Sequence, residues 1–253
     1  MAASALRLTF LGTRGGIAVR SKRHQRHSAV LLEHDDNRLM LDCGADWLGH
    51  LKEIEPSAIV LTHGHPDHAQ GLRNGASCPV YATAQTWELI ARYPIAERHT
   101  IRIGRSFKIG EIKLEAFSVE HSVRAPAVGF RVTVGGASLF YVPDVTFIRD
   151  RRRALRGISL YIGDGARLDR PLLRRRDHRS IGHASVRHQL AWCQDASILR
   201  GVFTHCGSEI VRADHRVVSA RVRRLGQEHG VIACIAHDGM KLLLRGQADA
   251  SRP

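Results

Sequence analysis

Short apolar runs recur along the chain, several of them alternating with polar positions as strands half-buried in a sheet do. They are LRLTFLG (6–12), SAVLLEH (28–34), RLMLDCG (38–44), AIVLTH (58–63), PVYAT (79–83), IKLEAFSVEH (112–121), VGFRVTV (128–134), SLFYVPD (138–144), SLYIGD (159–164), RGVFTH (200–205) and VIACIAH (231–237). Helical patterns fall between them in ADWLGHLKEI (45–54), TAQTWELIARY (83–93), SVRHQLAWC (185–193) and the charged stretch 208–229. Strands interleaved with helices, without a linker, a repeat or a low-complexity segment, predict a layered α/β fold. One domain is expected over residues 1–253, with its core at about 6–245 and a short tail at 246–253.

Six of the runs end in a residue able to bind a metal or move a proton: Asp42, His63, His121, Asp144, Asp164 and His205. Strand ends at one rim of a sheet are where α/β proteins place ligand chemistry. The densest cluster is THGHPDH, which holds His63, His65, Asp67 and His68. Imidazole and carboxylate are the donors for zinc and similar cations where thiolates are absent. His63 and His65, two apart at a frayed strand end, can grip one cation. Asp67 and His68 lie past the turn set by Gly64 and Pro66 and can point to a second. Each half-site needs completing from elsewhere in the chain. A His-rich loop without metal is the weaker reading of this spacing.

These residues carry a resemblance. TFLGT, LDCG and LTHGHPDHAQGL resemble the metallo-β-lactamase superfamily, over about residues 6–245. The resemblance implies an αββα four-layer sandwich with a dinuclear metal site at the strand-end rim. It implies that His63, His65 and His121 hold the first metal, that Asp67, His68 and a final His hold the second, that Asp144 bridges both, and that Asp42 orients the ligand loop. The later segments YVPD, YIGDGA, IGHAS and VFTHCGS are similar, in the same order, to motifs of ribonuclease Z, which trims tRNA 3′ ends. By that match His205, rather than His237 in CIAHDGM, closes the second site. Cys206 beside it either approaches the second metal or, the favoured reading, packs behind His205. His183 is then a catalytic histidine that binds no metal, supported by Asp164 where that family has Glu. The implied chemistry uses a hydroxide between the cations, oriented by Asp67, with His183 protonating the leaving oxygen. Two divalent cations are expected, zinc foremost, with manganese or iron acceptable to the same donors.

The chain departs from ribonuclease Z further: the family's basic catalytic-loop motif ending in Arg-Asn is not evident, and its arm is missing. Only positions 69–120 separate His68 from His121, and strand and helix patterns fill them, leaving no room for that family's flexible basic arm. Its length suits arm-less relatives such as the phosphoribosyl cyclic phosphodiesterases. The charge pulls another way. Lys plus Arg total 38 against 24 acidic residues, a net +14, concentrated in RSKRHQRH (20–27), RDRRRALR (149–156) and RPLLRRRDHR (170–179). Such a field draws anionic partners, nucleic acid among them, though solvated faces would account for it equally. Few aromatics accompany these runs, so base stacking gains no support. Arg14, Lys22, Arg23 and Arg26 in the first long loop are the candidate phosphate binders.

The reading is a metal-dependent hydrolase, a two-metal phosphodiesterase acting on a cyclic phosphate or a nucleic-acid-type substrate. One alternative is a carboxylic-ester, thioester or lactone hydrolase, which needs no GDGA…GHAS pair. Another is a metal- or nucleic-acid-binding protein without catalysis, against which the complete ligand set argues. No apolar run approaches the roughly 20 residues of a membrane helix, no signal peptide is recognisable, and the five scattered cysteines form no CxxC pair. A cytoplasmic protein is expected, and the resemblance allows a homodimer.

Overall fold

A computed structural model describes residues 5–176 and 179–246. The expected tail beyond residue 246 and positions 177–178 of the third basic run lie outside the described residues. The chain begins with β1 (Leu6–Gly12), β2 (Ala29–His34), β3 (Asn37–Leu41), β4 (Ala58–Val60), β5 (Val80–Thr83) and β6 (Arg98–Ile101). It continues with β7 (Ser106–Ile109), β8 (Ile112–Glu120), β9 (Ala127–Val134), β10 (Ala137–Tyr141), β11 (Phe147–Ile148) and β12 (Leu160–Asp164). A hairpin of β13 (Leu172–Arg176) and β14 (Arg179–His183) follows, then β15 (Arg200–Thr204), β16 (Ile232–Ile235) and β17 (Lys241–Leu244). The helices are α1 (Leu51–Ile54), α2 (Pro66–Ala69), α3 (Ala84–Leu89), α4 (Arg151–Leu155), α5 (Val186–Asp195), α6 (Ser208–Val211) and α7 (His215–Glu228).

Two sheets form, in the orders β17-β1-β2-β3-β4-β5-β6 and β11-β8-β9-β10-β12-β15-β16, with β7 added beside β8. The side-chain period of two sorts each strand between layers. Leu6, Leu8 and Phe10 of β1, Val30 and Leu32 of β2, and Leu39 and Leu41 of β3 point to the other sheet, where they meet Phe130, Val132, Leu139 and Ile162. The alternate residues Leu31, Met40 and Ile59 pack outward against Trp47, Ala69 and Leu72. On the far side of the second sheet, Phe140, Tyr161 and Phe203 pack against Leu155 of α4, Leu190 of α5 and Val222 of α7. Helices, sheet, sheet and helices thus stack as the αββα sandwich the resemblance implied.

The helical expectations differ in detail. The stretch 45–54 is not one helix: a 3₁₀ turn at Ala45–Trp47 and the single turn α1 are separated by Gly49 at φ +82°. The stretch 208–229 divides into α6 and α7 because Asp214 caps a new start, accepting the Arg216 N–H at 2.8 Å. The hairpin β13–β14 was not anticipated as strands. Its exposed Leu172, Leu173 and Arg174 present no alternation of buried and polar positions.

The strands β3 and β4 run parallel, as do β10, β12 and β15, so their C-terminal ends meet at one rim. Asp42, His121 and His205 follow β3, β8 and β15 by one residue, and Asp164 ends β12. His63 and Asp144 follow β4 and β10 by three. Asp42 and His205 adopt left-handed backbone, φ +62° and +53°, at the point where each strand turns into its loop. Among the described residues no helix is long and apolar enough to cross a membrane.

Candidate metal centre

The loop after β4 is wound tightly by Pro66 at the first position of α2, which folds His68 back beneath His63. Gly44 makes that turn possible from below. Its bare α-carbon packs against the Asp67 carbonyl so closely that a Cβ would lie 2.1 Å from the oxygen. This accounts physically for the glycine of LDCG, since no side chain fits there.

Two groups of donors contain the HGHPDH residues: His63, His65 and His121, and Asp67, His68, Asp144 and His205. A third, Asp144, Asp164, His183 and His205, shares two residues with the second, and the ligating atoms of each group lie within 4.8 Å of one another. His63 Nε2 and His121 Nε2 converge on His65 Nδ1 at 2.9 and 3.2 Å. Asp144 stands between the first two. Its Oδ2 is 2.8 Å from His68 Nε2 and 3.4 Å from His63 Nε2, and its Oδ1 is 3.1 Å from His205 Nδ1. Asp67 Oδ2 lies 3.1 Å from His205 Nε2.

The orientation of these donors is set from behind. Asp42 Oδ2 accepts the His68 Nδ1–H at 3.0 Å and the Tyr141 hydroxyl at 3.1 Å. Thr62 donates to Asp42 Oδ1 through its N–H and its hydroxyl, both at 2.8 Å, so its oxygen accepts from His63 Nδ1 at 3.0 Å. His121 Nδ1 donates to the Gly182 carbonyl at 3.1 Å. His63, His68 and His121 are thereby held with Nε2 toward the centre, the usual arrangement around a bound cation, whereas His65 presents Nδ1.

Chemically the set fits a divalent cation. His68 Nε2, Asp144 Oδ1 and His205 Nδ1 are buried and have no hydrogen-bond partner among the described residues, despite their closeness to one another. Buried polar atoms left so are expensive unless something else satisfies them. Burial, with the neighbouring imidazoles, holds His63 well below its ordinary pKa and His65 at about 4, which keeps both in the neutral, ligating form. Burial opposes ionisation of Asp144, yet His121, His205 and His68 outweigh it and hold its carboxyl well below the usual range.

Beside the donors, His183 Nδ1 is 2.8 Å from Asp164 Oδ2 and 3.2 Å from Asp144 Oδ1. Burial alone would lower its pKa, but these two carboxylates carry it to about 11. Asp164 is itself fixed by the N–H groups of Val145 and Ala166, at 3.1 and 2.8 Å. Gln189 of α5 clasps its backbone, accepting the Asp164 N–H at 2.8 Å and donating to its carbonyl at 2.7 Å. His183 is partly exposed and faces an open cleft of about 360 Å³ above the donors.

The cleft wall contains residues that the sequence reading did not single out. Gly15 and Gly16 pass so close to the site that added Cβ atoms would lie 3.0 Å from His205 and 2.9 Å from Asp67. Opposite stand Leu172 and Arg167, whose Nε is 3.4 Å from Glu209 Oε2. A Gly-Gly pair in the loop after the first strand was the available signal.

The candidate phosphate binders are corrected. Arg14 is 2% exposed and structural: its guanidinium donates to Asp46 Oδ2 at 2.6 Å and to the Gln25 and Ile17 carbonyls. Arg26 stacks 4.4 Å above Trp47, Arg23 borders a separate recess near Ile210, and Lys22 is exposed in the same loop. None of the four lines the cleft. His237 lies outside these donor groups, its Nδ1 donating to the Asp238 carbonyl at 3.0 Å. Cys206 is fully buried behind His205, its N–H donating to the Thr13 carbonyl, and burial pushes its thiol well above the ordinary range.

The family model described as the beta-lactamase superfamily domain matches residues 37–206, a span that includes every donor of the centre. The chain belongs to the metallo-β-lactamase superfamily. It is a metal-dependent hydrolase. It is 24% identical over 284 aligned positions to a ribonuclease Z of Methanopyrus kandleri, covering 94% of this chain and 98% of that one. Among solved structures, it resembles the metallo-beta-lactamase fold protein YhfI of Bacillus subtilis, with a TM-score of 0.75, 16% identity and coverage of 95% and 99%. A diphosphatase of the PhnP family aligns with a TM-score of 0.70, 20% identity and coverage of 94% and 97%.

Proposed function

We propose that this hydrolase is a two-metal phosphodiesterase. The observation that carries the reading is the Asp164–His183 pair on the cleft wall, 3.2 Å from the oxygen of Asp144 that faces the second donor group. An activated carboxylic ester, whose leaving group departs unprotonated, needs no such acid. Expelling an alkoxide from phosphorus does.

His63, His65 and His121 would hold one cation, zinc foremost, and Asp67, His68 and His205 the other, with Asp144 between them. Divalent cations there supply Lewis-acid neutralisation of phosphoryl charge and make water acidic enough to attack near neutral pH. Asp67, at the cleft floor, orients the attacking water and takes its proton. His183 uses Nδ1 on Asp164, which leaves Nε2 to protonate the departing oxygen. Arg167 meets a non-bridging phosphoryl oxygen from the wall. The bare Gly15–Gly16 backbone lets the phosphate approach without a clash.

The relationship to a ribonuclease Z supports a phosphodiester substrate. Metal-loaded protein is expected to hydrolyse bis(p-nitrophenyl) phosphate, and Asp67→Ala to abolish that turnover. Turnover of p-nitrophenyl acetate alone would replace this reading with an ester hydrolase.

A further inference from the structure

The hairpin β13–β14 belongs to neither main sheet. It is rooted at the metal centre, where the Gly182 N–H donates to the His121 carbonyl at 2.9 Å and His121 Nδ1 donates back to the Gly182 carbonyl. Its register sets Leu172 opposite His183, Arg174 opposite Ile181 and Arg176 opposite Arg179. Cross-strand partners share a face, and a face repeats every second residue. The face that turns Leu172 and His183 into the cleft therefore continues outward through Arg174 and Ile181. Ile181 lines a second recess of about 270 Å³, which adjoins the cleft at His121 and is bordered by Ser122 and Arg149. Cleft, hairpin face and recess form one continuous path.

Along this path Arg167 stands on the cleft wall 3.4 Å from Glu209 and Arg149 borders the recess 3.2 Å from Glu120, while Arg170 and Arg174 are exposed on the segment that leaves the cleft. The acid nearest in sequence, Asp169, is already engaged by Arg187 at 3.3 Å and Arg221 at 2.5 Å. No described carboxylate pairs with Arg170 or Arg174. Leu172, 45% exposed beside His183, offers an apolar surface suited to a sugar or base and unsuited to a bare phosphate. Asp144 is only 3% exposed at the cleft floor, so a phosphate must enter the cleft to meet the donors, which suits a flexible strand.

We propose that this hairpin grips a single-stranded polynucleotide running from the metal cleft past Arg167, Arg170 and Arg174, so that the substrate class is an oligonucleotide rather than a small cyclic phosphate. The assignment rests on the phosphodiesterase reading above. The test is binding of fluorescein-labelled phosphorothioate oligo(dT) and oligo(U) to metal-loaded protein by anisotropy over a salt series. Bis(p-nitrophenyl) phosphate turnover by the wild type is measured in parallel.

The double variant Arg170→Ala/Arg174→Ala is expected to bind about tenfold more weakly and to lower the salt slope by about 1.4, as loss of two phosphate contacts to a single strand requires. The charge-matched control Lys108→Ala/Lys113→Ala, an exposed registered pair at the far end of β8, should bind as the wild type does. Equal weakening in both variants, or none in the hairpin variant, would overturn the hairpin's role while leaving the phosphodiesterase intact if turnover persists. Absence of turnover would overturn the phosphodiesterase reading and with it the substrate assignment.

Discussion

Asp42 and His68 meet at 3.0 Å in complete burial, so a residue outside the donor set decides which nitrogen of a candidate ligand faces the centre. Asp42→Asn exchanges an ionic acceptor for a neutral one and lets the ring lose its fixed tautomer. Metal affinity is expected to fall about 10–100-fold, as for other outer partners of ligating histidines. Competition with a chromophoric chelator measures it; unchanged affinity would remove Asp42 from the supporting role.

As the proposed acid, His183 should separate good leaving groups from poor ones. In His183→Ala, hydrolysis of an alkyl phosphodiester should drop by about 10²–10⁴-fold, the usual contribution of a positioned acid. Bis(p-nitrophenyl) phosphate should be affected far less, because nitrophenolate departs unprotonated. Equal losses on the two substrates would mean that His183 only shapes the cleft.

The close passage of Gly16 over Asp67 predicts a selective defect. A Cβ there would lie 2.9 Å from Asp67 Oδ2, and the carboxylate must swing away. Gly16→Ala is expected to leave the three-histidine group occupied and to weaken the other. Metal analysis after dialysis should then return one cation per chain where the parent returns two. A full complement in the variant would show that the loop yields instead.

The first long loop carries an acid-sensitive anchor. Thr13 donates its hydroxyl to Asp238 Oδ1 at 2.7 Å and accepts from His24 Nδ1 at 2.8 Å, while Asp238 Oδ2 takes the N–H groups of Gln25 and Arg26. Burial, then Arg23 and His237, lower the His24 pKa to about 4. Between pH 6.5 and 4 the unfolded chain therefore binds the proton that the folded chain refuses. Stability is full above about pH 6.5 and declines as pH falls through that window, by up to about 3 kcal/mol. Urea midpoints measured across this range should slope accordingly, and His24→Gln should reduce the slope, the remainder belonging to His27 and His65, which are likewise lowered to about 4. A His24→Gln profile as steep as the parent's would assign the acid sensitivity elsewhere.

What was legible in the sequence follows from locality. HGHPDH places four donors within one turn, and parallel strands bring their ends to one rim, so Asp144, Asp164 and His205 could be read as neighbours from strand ends alone. Arg14 could not be placed this way. The partner that buries it, Asp46, lies 32 residues away, and only the fold sets them 2.6 Å apart. The stretch 45–54 has helical periodicity, but Gly49 in a left-handed conformation breaks it, a choice that no pattern of apolar positions encodes. The hairpin went unread because Leu172, Leu173 and Arg174 are all exposed, so the alternation by which strands are recognised is missing there.

The two hydrogen bonds between His121 and Gly182 join the first donor group to the root of the basic hairpin. Whatever steadies the imidazole steadies the strand that carries His183, and the converse holds. If these bonds couple them favourably, cation loading and occupancy of the hairpin raise each other's affinity by the same factor. The protein would hold its anionic ligand best when armed to cut it, and release its metal least readily while a strand is in place.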